Sequence, residues 1–375
     1  MNRIFASKAV NAGRQSEFDL LKFFSILVMI LINFFEEYAE TPVMSLSETP
    51  ARTILMFFSG SVSAPSFMFA MGIGLVYSKN ADHPKYFVKR GIRIFLWGYL
   101  LNILRGVLPD IVMCAIRSAR AGAFVPPFFR IEELLNVDIL HFAGLALIFY
   151  GLCRLKKMHH FVMLIIAVLL QCLGTLIVTI PISSEVGQYI VGLLFYENSL
   201  TCFPFTLWLL YPIAGAFFGS ILLHVKNKGL FYACLLPICA TVLFAISVSY
   251  IHNGLDLRTI FTLHEDLTYR QDPLGVFWSL LCVIILLAVC YFLTILLKKF
   301  GCRQLLALSY FSGVHLNDIY IISWLLIGWL CVPMLSASVD GFSDPVILLW
   351  SALIIIVSFL LCIPLQKWRD RPKKA

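Results

Sequence analysis

Two residue pairs have a spacing that allows proton chemistry. Asp138 and His141 stand three apart where the chain turns apolar, and residues at i and i+3 share a helix face. A carboxylate so placed orients an imidazole and raises its basicity, as a general base requires. The same spacing equally serves a histidine that only bonds a neighbouring helix. His315 and Asp318 repeat the interval, flanked by Asn317 and Tyr320, and there substrate positioning and helix capping are as open as chemistry. Lys22 and Asn33 lie eleven residues apart, which on a helix returns them to one face roughly 16 Å apart along the axis. Asp19 precedes Lys22 by three and Glu36 follows Asn33 by three, so this segment is polar at both ends. An ion pair of Asp19 with Lys22, and an outer boundary marked by Asn33 and Glu36, would account for the same pattern. Lys85, Lys89 and Arg93 recur at i, i+4 and i+8 with Arg90 adjacent. Such a stripe suits a polyphosphate, although membrane topology alone also places cations at such a boundary.

The elements that must carry these groups are membrane helices. Of 375 residues, 60% are hydrophobic and only 13% charged, with a mean hydropathy of +0.88. Soluble domains carry about 25% charged residues, so this chain is read as an all-α, polytopic membrane protein forming one transmembrane domain over residues 1–375. A spanning helix needs about 20 apolar residues. Ten candidate spans follow: Phe18–Phe35, Thr53–Tyr77, Tyr86–Leu104, Val137–Cys153, Phe161–Ile180, Cys202–His224, Leu230–Ile251, Leu274–Leu297, Leu316–Val332 and Pro345–Leu365. The ninth is ambiguous: its apolar run begins near Leu305 and is interrupted at Ser312-Gly313, as a broken helix or a short membrane-entering segment would be. The outer loop Gly106–Asn136 is the longest, and Val107–Arg120 reads as an interfacial amphipathic helix. The 11 cysteines show no paired C-x-x-C spacing, which argues against a disulfide framework and a zinc site.

Ten spans put both termini on one side. Of the 29 lysines and arginines, only Arg52, Arg105, Arg117, Arg120, Arg130, Arg258 and Arg270 fall on the opposite side. Every alternate loop is basic, which makes both termini cytoplasmic. The net charge of +8 is thereby explained without a nucleic-acid partner. The first span, with no small-x-small cleavage site before Glu36-Glu37, reads as a retained signal anchor. Ionisable groups at membrane depth are costly and mark function by default.

Three segments together resemble the transmembrane acyltransferases, specifically the heparan-alpha-glucosaminide N-acetyltransferase-like branch and the related acyltransferase-3 family. Phe18-Asp19-Leu20-Leu21-Lys22, with the run ending Ile32-Asn33, is similar to the family's opening span. Ala64-Pro65-Ser66-Phe67-Met68-Phe69-Ala70-Met71-Gly72 resembles its proline-x-phenylalanine-x-phenylalanine-x-x-glycine core, followed by Lys89-Arg90-Gly91 and Gly98-Tyr99-Leu100-Leu101-Asn102. Asp138-Ile139-Leu140-His141-Phe142-Ala143-Gly144-Leu145 is like its isoleucine-leucine-x-x-x-glycine-leucine helix. Leu308-Ser309 through Asn317-Asp318-Ile319-Tyr320 resembles the region before the closing spans, and the first 150 residues match best.

The resemblance implies transfer of an acyl group, acetyl in the first instance, from cytoplasmic acyl-CoA to a hydroxyl or amine of an extracytoplasmic glycan or lipid-linked sugar in a bacterial envelope. It assigns no metal. Lys22, Lys85, Lys89, Arg90 and Arg93 would hold the CoA phosphates. His141, oriented by Asp138, would be the base, and Asn33 the oxyanion donor or acceptor positioner. Glu36, Glu37, Asn102, Arg105, His315, Asn317 and Asp318 would contact substrate. The chain departs from the pattern at two places: Lys22 and Asn33 replace the arginine and histidine of the acyltransferase-3 proteins, and no histidine lies between Phe34 and Arg52. A transporter or flippase using Asp138, His141, His315 and Asp318 as a proton or substrate path, and a non-catalytic scaffold, are the competing readings.

Overall fold

The computed structural model of the protein describes residues 4–40, 50–122, 131–177, 184–195, 201–254, 273–337 and 341–369. Among these, nine helices are long and apolar enough to cross a membrane. Eight of them start within a few residues of the expected positions, because uninterrupted apolar runs have no other way to satisfy their backbone in lipid; the helix expected from Leu316 starts at Arg303, ahead of the Ser312-Gly313 interruption. The remaining expected span, Val137–Cys153, is a shorter helix, Ile139–Leu155. The protein is therefore an all-α, multi-pass integral membrane protein. The last residues of the expected span Phe161–Ile180 and the outer cations Arg130, Arg258 and Arg270 lie outside the described residues.

The elements that position the site are α1 (Ser16–Tyr38), α2 (Pro50–Met56) leading through a π-helical turn into α3 (Ala64–Val76), and α4 (Pro84–Asn102). A second π turn, Ile103–Val107, carries α4 without a break into α5 (Leu108–Ala121). The expected separate interfacial helix is thus a continuation of the third span. The 38 residues from Pro84 to Ala121 rise about 57 Å at 1.5 Å per residue, more than the roughly 30 Å hydrocarbon core. After α6 (Ile131–Leu135) come α7 (Ile139–Leu155), α8 (His160–Ile177), α9 (Glu185–Leu194), α10 (Phe205–Trp208), α11 (Leu210–Leu222), α12 (Lys228–His252) and α13 (Pro273–Lys299). The chain closes with α14 (Arg303–Ala337) and α15 (Asp344–Arg369).

The tightest packing joins α4 to α7 and α3 to α11, and α1 lies centrally against α14, α13, α3 and α15. The α4–α7 contact is built on glycine because lipid gives helices no hydrophobic reason to associate, so close backbone approach must do it. A Cβ on Gly91 would come within 2.6 Å of the Gly144 carbonyl oxygen, and one on Gly144 within 2.8 Å of that of Gly91.

The ninth span is a long helix, Arg303–Ala337, kinked at His315 (φ −106°, ψ 22°), two residues beyond the Ser312-Gly313 interruption. Arg14 lies over the Tyr310 ring and donates to the Tyr310 carbonyl at 3.3 Å. A side chain inserted at the backbone ladder is a recognised cause of such a kink.

Candidate functional site

Asp138 is the N-cap of α7, and its side chain accepts from the Ile139 N–H at 2.6 Å. The expected carboxylate-to-imidazole contact is not what forms. His141 Nδ1 accepts from the Asp138 backbone N–H at 3.2 Å, completing a reciprocal capping box. The carboxylate instead accepts the Tyr320 hydroxyl at 2.7 Å and pairs with Arg105 at 3.1 Å. The physical reason is the cap itself: a residue three beyond the N-cap reaches back to the N-cap amide, leaving the carboxylate for other helices.

His141 is fully buried, its ring 4.4 Å from that of Tyr99 and 5.4 Å from that of Phe95. Gly98 is close enough that a Cβ there would lie 2.7 Å from Nε2, and Nε2 has no hydrogen-bond partner among the described residues. This fully buried imidazole closes the α4–α7 seam.

Arg105, in the π turn, is the hub of the outer cluster. Besides Asp138 it donates to Asn102 Oδ1 at 3.3 Å, and its guanidinium sits 3.8 Å over the Trp324 ring. Asn102, itself buried, donates to the Leu134 and Asn136 carbonyls. The π turn lies against α14: a Cβ on Gly328 would overlap the Arg105 carbonyl, and Trp329 donates to the Leu104 carbonyl at 2.9 Å. Glu36 and Glu37 lie at the C-terminal end of α1. Glu37 is within electrostatic reach of Arg105, Glu133 and Asp138. Asn33, half-buried, stands one turn below Glu37, on the same face.

Towards the end of the bundle where α1 begins lies a cavity of about 440 Å³, with Lys22, Arg90 and Arg369 among the cations of its wall. Its apolar wall includes Leu147, Ala143 and Leu140, a stripe running up α7 to the first turn after Asp138. A neighbouring cavity of about 730 Å³ shares Arg90 and Arg369 and adds Lys89 and Arg93. Lys22 does not pair with Asp19, whose carboxylate accepts two 2.7 Å bonds from Arg14. Lys85 is exposed and lines neither cavity.

Asn317 and Asp318 line both cavities and His315 lines the smaller. Asp318 accepts from Gln366 at 2.6 Å and Arg369 at 2.7 Å, whereas His315 Nδ1 is 4.0 Å away. His315, Asp318 and Cys362 have their ligand atoms within 4.8 Å of one another. Arg369 neutralises the one carboxylate of that trio, so it anchors α14 to α15 rather than forming a cradle for a cation.

Spacing along the chain brought Asp138 to His141 but did not disclose Tyr320, Trp324, Arg369 or Gln366 as partners. Tyr320 stood beside Asp318 in the sequence, and Arg369 carried only a topological signal.

The chain matches a family model described as heparan-alpha-glucosaminide N-acetyltransferase, catalytic, over residues 14–248, more than half its length and including α1, α4 and α7. No curated protein and no solved structure matches it.

Proposed function

The chain belongs to the heparan-alpha-glucosaminide N-acetyltransferase catalytic family, and on that footing we propose that it moves an acetyl group from cytoplasmic acetyl-CoA to an amine or hydroxyl of a glycan or lipid-linked sugar across a bacterial plasma membrane. One observation carries the reading: a single cavity has Lys22, Arg90 and Arg369 at its cytoplasmic end and Leu140, two residues beyond Asp138, in its wall. Cations at one end suit the CoA phosphates through charge-assisted hydrogen bonds. The apolar stripe of α7 suits the pantetheine arm, which delivers the thioester to the level of the outer cluster.

Acetyl transfer needs a proton acceptor and an oxyanion donor. The acceptor nitrogen or oxygen attacks the thioester carbonyl and passes its proton to Glu37. The Asn33 amide N–H donates to the oxyanion. Collapse breaks the C–S bond, and the proton moves from Glu37 to the CoA sulfur, regenerating the carboxylate. Asp138, Arg105 and Tyr320 hold the three helices around this point. His141 acts as their cap rather than as the base, because its free nitrogen faces Gly98.

The test is purified protein in nanodiscs with radiolabelled acetyl-CoA, following CoA binding and transfer to extracted envelope glycans. Charge-assisted hydrogen bonds contribute about 1.5–3 kcal/mol each, so Lys22→Gln and Arg90→Gln should each weaken CoA binding by roughly 10- to 100-fold. Unchanged binding in both variants rejects the reading.

A further inference from the structure

The larger cavity has a shape that acyl transfer does not require. At one end the π turn that closes α4 is tied to α14 by the Arg105–Trp324 stack and the Trp329 bond to the Leu104 carbonyl, and the Asp138–Tyr320 bond ties the start of α7 to α14. Below that tie α4 packs extensively on α7, with no comparable packing against α14 or α15. The result is a wedge between α4 on one side and α14 and α15 on the other, closed above and open below. Its walls carry Trp97, Ile321, Leu325 and Leu361, and Trp97 and Leu361 are exposed at its edge. Lys89 and Arg93 stand at its cytoplasmic mouth with Arg369.

The dimensions fit one leaflet. From Arg93 to the closure at Arg105 is twelve residues of helix, about 18 Å at 1.5 Å per residue, against roughly 15 Å for half of a 30 Å hydrocarbon core. Cations therefore lie at headgroup depth and apolar side chains along the depth of the acyl chains. Lys22, which lines only the smaller cavity, takes no part in the wedge.

We propose that the wedge is a binding site for one anionic phospholipid of the cytoplasmic leaflet, its phosphate held by Lys89 and Arg93, and one chain lying between α4 and the α14–α15 pair. Charge complementarity selects the phosphate; the depth of the apolar walls selects a membrane lipid over a free phosphate. The bound chain fills the gap that the helices leave and separates the smaller cavity from the bilayer. This site stands whether or not the neighbouring cavity takes acetyl-CoA.

The experiment is native mass spectrometry of detergent-purified protein, delipidated and then titrated with phosphatidylglycerol or phosphatidylcholine. The expected result is one tightly held phosphatidylglycerol, at least tenfold preferred over phosphatidylcholine. Lys89→Gln/Arg93→Gln should erase that preference. Leu361→Trp, at an exposed position that tolerates bulk, should expel the lipid by filling the wedge while leaving the cations intact. Lys22→Gln should retain the lipid while weakening CoA binding, which separates this site from the donor cavity. No retained lipid, equal retention of both lipids, retention unchanged in the double variant and in Leu361→Trp, or displacement by inorganic phosphate alone would each overturn the proposal.

Discussion

In the proposed mechanism, two side chains near the outer cluster separate a chemical role from a structural one. Glu37 lies within electrostatic reach of Arg105, Glu133 and Asp138, whereas His141 is sealed between Tyr99, Phe95 and Gly98. General acid–base groups contribute about 10²- to 10⁴-fold, so Glu37→Gln should lower kcat by that factor while CoA binding and thermal stability stay near wild type. His141→Gln should do the reverse, lowering the melting temperature through loss of the cap and its packing, with kcat of the folded fraction preserved. Full kcat in Glu37→Gln, measured by single-turnover acetyl transfer, removes that carboxylate from the mechanism. The polar residues of both pairs were legible in the sequence because ionisable groups in apolar runs are conspicuous. Their partners were not: Tyr320 is 182 positions from Asp138, and nothing along the chain encodes which of many tyrosines arrives.

At the scale of elements, the α4–α7 seam decides where the outer cluster sits. Gly91 opposes Gly144, and Gly98 opposes the His141 ring; the seven-residue interval keeps both contacts on one face of α4. Overpacking a tight interface costs about 1–3 kcal/mol. Gly98→Ala should therefore push α7 away from α4, loosen the Arg105–Asp138 pair, and lower both melting temperature and transfer rate. A variant indistinguishable from wild type in a detergent thermal-shift assay would show that the seam has slack. The π turn at Ile103–Val107 is the second such device. Its extra residue per turn re-aims Arg105 toward Asp138 and Trp324, and π-bulges recur at functional positions. The sequence indicated a helix ending near Leu104; it carried no sign that the rod continues into α5, because the apolar period stops where the membrane does.

For the whole molecule, the alternation of basic loops is a statement about two compartments. Cys302 is exposed in the turn between α13 and α14, next to Lys298, Lys299 and Arg303. In a variant whose only cysteine is Cys302, a membrane-impermeant maleimide should label inside-out vesicles and leave right-side-out vesicles unlabelled. The opposite pattern would invert the orientation and put the basic cavity on the wrong side for a cytoplasmic donor. Apolar length and the positions of most of the helices were determined by the sequence alone, since lipid allows no other arrangement of such runs, and the basic loops add an expected direction that the labelling tests. Only the tertiary structure decided that Lys22, Arg90 and Arg369 share one cavity, that Asp138 binds Tyr320 and Arg105 instead of the His141 ring, and that α4 diverges from α14 below their tie. Those outcomes depend on helix–helix approach, which small residues and buried polar pairs set across more than two hundred positions of chain, and no local spacing reports them.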